Sequence, residues 1–323
     1  MKPTVLFIVG PTASGKTDAA VEAALRLNGE VISADAIQIY RELNVGSAKP
    51  TKEEMRGVAH HLLGFLDYRD GSYNAARFAK DASRLIREIS ARGRLPVVAG
   101  GTGLYVNSLL YPLDFTAAPP DPRLREALER EEDASPGSLH KRLAGVDPAS
   151  AARLHPNDRK RVIRALEVYE TTGRTLTSHG GDFLNERRAE IPFHPVIARL
   201  EPDRAVLYER IGRRVDAMLE NGLEEEVMRL WRGCGGQAPL SLQGIGYRQF
   251  ICYFEGEATR SEAVLLIKRD TRRYAKRQVA WFKREQRARG FDPGAYPDRA
   301  ALYNDIIGYF NEEAAKNGRD DQE

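Results

Sequence analysis

The sequence predicts an α/β fold, a parallel sheet flanked by helices, with a small all-helical insertion. Three observations carry this. Apolar runs of strand length alternate with helical patterns over the first third of the chain. Between residues 123 and 172 only short helical patterns remain, broken at Pro136-Gly137, Pro148 and Pro156, and an apolar run at residues 195–200 then returns the chain to the sheet. Two glycine-rich turns, at residues 10–15 and 100–103, directly follow strand patterns, where parallel sheets place their ligands.

Taken in order, residues 5–9 (Val-Leu-Phe-Ile-Val) read as a buried strand. Gly10, Pro11, Thr12, Ala13, Ser14, Gly15, Lys16 and Thr17 then complete the pattern G-x-x-x-x-G-K-[ST]. A helical pattern follows at residues 18–27 and stops at Asn28-Gly29. That order lets loop N–H groups and the helix N-terminus surround a di- or triphosphate. Lys16 supplies a full charge, and the Thr17 hydroxyl suits Mg²⁺. The fold is therefore expected to be P-loop NTPase-like. Residues 31–33 form a second strand. Ser72 is expected to cap a helix through Arg92, with Ala79, Ala82, Leu85, Ile86 and Ile89 at helical spacing and Gly93 as its stop. Residues 95–99 make a third strand. A Pro-rich stretch at residues 117–122 reads as a linker. Asp203 caps a helix carrying Val206, Leu207, Ile211, Val215, Met218 and Leu219 on one face, ended by Gly222. The last long helix is placed at residues 261–289. The expected division is a discontinuous P-loop core at 1–116 and 185–311, a helical insertion at 117–184, and an acidic, frayed tail at 312–323.

Composition narrows the classes. The chain has 323 residues, of which 42% are hydrophobic and 29% charged, as in ordinary globular proteins. No apolar run approaches the ~20 residues that span a bilayer, and the first strand follows Met1-Lys2-Pro3 directly, so no membrane association and no signal peptide are expected. Cys234 and Cys252 are the two cysteines, without a C-x-x-C, which fits a reducing cytoplasm and not a disulfide framework. Net charge is +3, yet ten Lys/Arg and two acids fall between Lys268 and Arg289, so the remainder is net acidic. A basic segment this dense points to a polyanion.

Several residues are candidates for chemistry. Asp35, just past the second strand, is placed to accept a proton, to hold a metal ion, or to cap an ordinary turn. Thr102, in the second glycine turn, either meets a ligand or only shapes a tight turn. His60 and His61 are adjacent and point to opposite sides, with no third ligand at useful spacing. The segment from Arg272 to Arg284 interleaves basic and aromatic residues, as phosphate contact with base stacking requires; a solvated basic face is the alternative. Tyr274 and Trp281 are expected to pack inward. A second basic cluster, Arg159 to Arg164, opens a helix in the insertion.

Taken together these segments resemble the tRNA dimethylallyltransferase (tRNA isopentenyltransferase) family over about the first 290 residues. The motifs are GPTASGKT from Gly10, SADAIQIY from Ser33, GSAKPT from Gly46, HHL from His60, GGTGLY from Gly100, the KRVIRALEVYETTG run from Lys160, GIGYR from Gly244 and RRYAKRQVAWFKR from Arg272. The resemblance implies transfer of a dimethylallyl group from dimethylallyl diphosphate to N6 of the adenosine beside the anticodon (A37), releasing diphosphate. It implies diphosphate binding by the loop and Arg214, with Thr17 and Mg²⁺. It implies catalytic roles for Asp35 and Thr102. It implies contacts to the tRNA anticodon stem-loop from Asp35, Ala36, Ile37, Gln38, Thr102, Arg125, Lys160, Arg161, Val162, Ile163 and Arg164; the basic segment adds Arg273 and Arg277. A cytoplasmic monomer of the bacterial type, without the eukaryotic zinc finger, is expected. Three positions depart from the family pattern. Ala36 stands where Ser is common, Gln249 where Glu is usual, and Ala280 where Thr is usual.

Overall fold

The structure, a computed structural model, describes residues 2–111, 121–178 and 191–320. These residues form two compact units, with breaks after Leu110 and before Pro192. Residues 117–120 of the expected linker lie outside the described residues; Asp121 and Pro122 open a helix.

The larger unit holds β1 (Thr4–Val9), α1 (Lys16–Arg26), β2 (Gly29–Ser33), α2 (Lys52–Met55), β3 (His60–His61), α3 (Ala75–Ala91), β4 (Leu95–Gly100) and α4 (Gly103–Leu110). The helical unit contains α5 (Pro122–Ala134), α6 (Ser138–Val146), α7 (Pro148–Arg153) and α8 (Arg159–Thr172). The larger unit resumes with β5 (His194–Leu200), α9 (Arg204–Glu220), α10 (Leu223–Gly233), α11 (Tyr247–Phe254), α12 (Arg260–Phe282), β6 (Arg289–Phe291) and α13 (Arg299–Asp320).

Six parallel strands lie in the order β3-β2-β4-β1-β5-β6. Leu6 pairs with Val97 on one side and Val196 on the other, so the strand that feeds the phosphate loop is central. Its continuous apolar run follows from that position, because Val5, Leu6, Phe7 and Ile8 are fully buried. On one face Leu6 and Ile8 meet Ala19, Ala20, Ala23 and Ala24 of α1, whose small side chains let the helix approach closely, and Leu302, Ile306 and Phe310 of α13 close the same core.

Four expectations are corrected. Asn74, not Ser72, caps α3, its side chain accepting from Arg77 N at 3.1 Å. Val206 is exposed, because it faces away from the buried Leu207, Ile211 and Val215 stripe of α9. The last basic helix stops at Phe282 instead of reaching 289. Arg199 of β5 donates to the terminal carbonyls of Phe282 and Glu285 at 3.0 and 3.3 Å, and the chain then turns into β6. The tail expected to fray from Glu312 continues α13 to Asp320. Ala314 packs on the core and Lys316 pairs with Glu313 at 2.6 Å, which extends the helix beyond its apolar stripe.

The helical unit packs α5–α8 around Leu128, Leu139, Leu143, Val162, Ile163 and Leu166. Glu167, fully buried, accepts from Arg125 Nε and a terminal nitrogen at 2.8 and 2.9 Å, from Arg164 at 2.6 Å and from Asp121 N at 2.8 Å. Val162 and Ile163, which the resemblance implies as tRNA contacts, have their side chains buried in this core. Arg125 and Arg164, both partly exposed, pair with Glu167. Lys160 and Arg161 are exposed.

Candidate active site

The phosphate loop joins β1 to α1. Gly15 caps the helix with φ 90°, a left-handed conformation that costs glycine nothing and turns the loop N–H groups inward. Lys16, the first residue of α1, folds its Nζ back onto Pro11 O at 3.2 Å. Burial, reinforced by the Arg214 charge, lowers its pKa to about 8, and the Asp35 carboxylate opposes that shift. Arg214, on α9, donates to Thr12 Oγ1 at 3.3 Å and to Ala48 O at 3.5 Å. Two cations, one from α1 and one from α9, thus meet at the loop. The Ser14 hydroxyl is buried and has no partner among the described residues.

The neighbouring strand ends supply the second half of the site. After β2, Asp35 Oδ1 accepts from Ile37 N at 2.9 Å and Gln38 N at 3.2 Å, which closes a turn. After β4, Thr102 N donates to Ala34 O at 3.2 Å, and Thr102 Oγ1 accepts from Ala36 N at 3.0 Å. The two turns hold each other through backbone groups, so Ala36 contributes through its N–H and needs no side chain there. Gln38 Nε2 donates to Ser47 O and Ala48 O at 3.2 and 3.1 Å, which ties the turn to the loop that meets Arg214. Buried Glu226 braces that same loop by accepting from the N–H groups of Asn44, Val45 and Gly46 at 3.0, 2.9 and 3.0 Å.

These groups line one cavity of about 400 Å³. Lys16, Thr17, Arg214, Asp35 and Thr102 form its polar part, while Val31, Leu63, Val215 and Met218 form apolar wall. Thr12, Ala36, Ile37, Gln38 and Arg277 also reach it. Arg273 stands outside, exposed, 3.8 Å from Asp270. His60 lines the cavity and His61 Nε2 lies 2.6 Å from Glu30 Oε2 on the other side, so the adjacent histidines do diverge. Lys160, Arg161, Arg125 and Arg164 belong to the helical unit.

Sequence reasoning missed cavity residues of α12, Tyr274 and Gln278 among them. Tyr274 lines the cavity; burial and the Asp35 charge push its phenol up to about 12. Gln278 is buried between the two glycine turns. The available signal was the inward face shared by Tyr274, Gln278 and Trp281 at helical spacing, hidden by the charges around it. At Gln249, the usual Glu would face a carboxylate; the amide present donates to Asp270 at 3.0 Å and accepts from Gly246 N at 2.9 Å.

A phosphate loop on the central strand, with a carboxylate and a threonine on adjacent strand ends, defines a P-loop protein equipped for group transfer. The chain belongs to the IPP transferase family, whose family model matches residues 38–285. It is similar to the tRNA dimethylallyltransferase of Alkaliphilus metalliredigens, 44% identical over 316 residues covering 96% of this chain and 99% of the relative. The Bacillus subtilis tRNA dimethylallyltransferase is 43% identical, covering 90% and 91%. Among solved structures, the tRNA isopentenylpyrophosphate transferase of Bacillus halodurans matches with TM-score 0.71 and 39% identity, over 98% of this chain and all of that one. A eukaryotic dimethylallyltransferase acting on tRNA matches with TM-score 0.75 and 27% identity, over 90% of this chain and 74% of that one. Among the described residues no helix is long and apolar enough to cross a membrane.

Proposed function

We propose that this protein is a tRNA dimethylallyltransferase that moves the dimethylallyl group of dimethylallyl diphosphate to N6 of the adenosine beside the anticodon of tRNA. One observation carries the reading: the cationic phosphate loop, the Asp35 and Thr102 turns and an apolar wall share a single cavity. A diphosphate with a short apolar tail matches that division. The relatives named for this activity support it.

The chemistry follows from the groups present. The allylic C–O bond breaks and the electron pair leaves on the diphosphate oxygen, whose charge Lys16, Arg214 and the loop N–H groups of Ala13, Gly15, Lys16 and Thr17 stabilise. N6 forms the new bond to the allylic carbon. Asp35 takes the N6 proton, and Thr102 holds the Asp35 turn in place through Ala36 N. The adenine must leave the anticodon stack to enter the cavity. The Thr17 hydroxyl at the cavity wall is one hard oxygen and not a cage, which suits Mg²⁺, an ion that keeps waters and substrate oxygens in its shell. When bound, Mg²⁺ supplies further charge to the leaving diphosphate.

Exposed Arg273, Arg277, Lys160 and Arg161 are the phosphate contacts to the anticodon stem-loop on this reading. The enzyme acts as a cytoplasmic monomer. Its test is incubation with labelled dimethylallyl diphosphate and either bulk tRNA or AMP. Label in tRNA, at N6 of the adenosine beside the anticodon, is the expected result. Label in AMP alone would make the protein a free-adenylate prenyltransferase, and label in neither would remove the activity.

A further inference from the structure

Gln278 is a neutral, buried side chain on the inward face of α12, a helix whose other faces carry the basic residues. Its amide touches both halves of the site. Oε1 accepts from Thr12 N of the phosphate loop at 2.8 Å, and Nε2 donates to Gly101 O of the second glycine turn at 2.8 Å. Thr12 N–H can only donate and Gly101 C=O can only accept, so the amide has one orientation that satisfies both. A planar amide keeps its two heteroatoms at fixed separation. The two loops are therefore spaced by a rigid bridge, although they follow different strands.

The packing leaves no alternative occupant. A Cβ at Gly101 would lie 2.2 Å from Gln278 Nε2, and one at Gly103 would lie 2.4 Å from the Trp281 ring. The turn that carries Thr102 thus rests directly on α12 at two successive points. Thr12 N–H, committed to Gln278, is also withdrawn from the phosphate cradle, as Ser14 N–H is by Pro11 O at 3.3 Å, which leaves the N–H groups of Ala13, Gly15, Lys16 and Thr17 to meet an anion.

We infer that Gln278 is a positioning residue that sets the phosphate loop against the Thr102 turn, so that the leaving diphosphate and the accepting amine are held in register by the same helix that carries Arg273 and Arg277. The inference rests on the loop being a diphosphate site. It assigns Gln278 no contact with reacting atoms. Its effect travels through Thr12 N and Gly101 O.

The test uses the full chain, inorganic diphosphate with Mg²⁺ as the binding probe, and a double-mutant cycle between Gln278→Ala and Gly101→Ala. Each substitution breaks the bridge from a different side. Gln278→Ala should weaken diphosphate binding about tenfold, as loss of a buried hydrogen bond to the loop implies. It should raise the donor KM and lower kcat together while leaving tRNA affinity within about twofold. Gly101→Ala should do likewise, and the double variant should be no worse than the poorer single one, because the Cβ clash disappears with the amide. Additive losses would overturn the inference. So would a Gln278→Ala protein with lowered melting temperature but unchanged diphosphate affinity and KM, since that is a purely structural role. Wild-type protein that fails to bind diphosphate would overturn both this inference and the proposed function, whereas normal wild-type binding with an unmoved variant overturns the bridge alone.

Discussion

Asp35 and Lys16 carry the two charges that the proposed reaction needs, and each can be tested alone. Asp35→Asn keeps an oxygen able to accept from Ile37 N and Gln38 N, so the turn should survive. Loss of the carboxylate should slow the chemical step ~10²–10⁴-fold, the usual yield of a positioned base. Single-turnover prenylation beside separate binding measurements checks this; normal chemistry would remove Asp35 from the mechanism, and loss of diphosphate binding alone would make it part of the Mg²⁺ site. Lys16→Ala removes a half-buried cation from the loop. A charged contact of this kind is worth ~1.5–3 kcal/mol, so turnover at saturating tRNA should fall at least about tenfold. Near wild-type turnover would sink the diphosphate assignment.

At the scale of the element, the exposed face of α12 and the buried carboxylate of α8 make separate demands. Arg273 and Arg277 are exposed on α12, Arg277 at the edge of the cavity, so replacing both with Ala should leave the protein folded. For each tRNA phosphate that is no longer neutralised, the slope of log K against log salt should flatten by about 0.7–0.9, measured by tRNA binding across a salt series. An unchanged slope would leave the helix as a solvated face. Glu167 answers to a different probe. Burial alone would push its pKa up, but hydrogen bonds from Arg125, Arg164 and Asp121 N–H outweigh it and hold the carboxyl below its ordinary 4.5. A depressed folded pKa gives stability that is fully present above about pH 4.5 and is lost as pH falls through the folded value. Glu167→Gln should therefore destabilise the helical unit at neutral pH by about 2 kcal/mol, less than a fully buried pair would lose because both arginines are partly exposed. As pH falls through the folded value, below 4.5, the variant and wild type should converge. Hydrogen exchange at Leu139 and Leu143 amides, followed between pH 3 and 7, would expose any failure to converge.

For the whole molecule, the sheet is completed by chain from both ends. β5 and β6 arrive after the helical unit, and α13 lays Leu302, Ile306 and Phe310 over the core that α1 covers from the other end of the sequence. Ile306 is almost fully buried. Ile306→Ala should cost about 2–5 kcal/mol, because the cavity it leaves lies between two packed helices and a sheet. Calorimetry should show a lowered melting temperature with unchanged donor KM below the transition. A silent substitution would mean that α13 is an ornament on the fold and not part of its core.

The sequence by itself determined the parallel sheet, the phosphate loop and the placement of Asp35 and Thr102 at strand ends. Each of these is written locally, as an apolar run of strand length ending in glycine or a short turn, so periodicity and turn chemistry suffice to read it. It did not determine that Ile163 faces a core, that Arg125 and Arg164 close on Glu167, or that α12 ends at Phe282 under Arg199. Most of those outcomes join residues tens of positions apart, and a basic residue looks the same in sequence whether its partner is a distant carboxylate, a carbonyl or a nucleic acid. Gln278 is the sharpest case. Its neighbours advertise charge, yet its place was settled by two backbone groups far away in the chain, Thr12 N and Gly101 O, which only the closed sheet brings within one amide's reach.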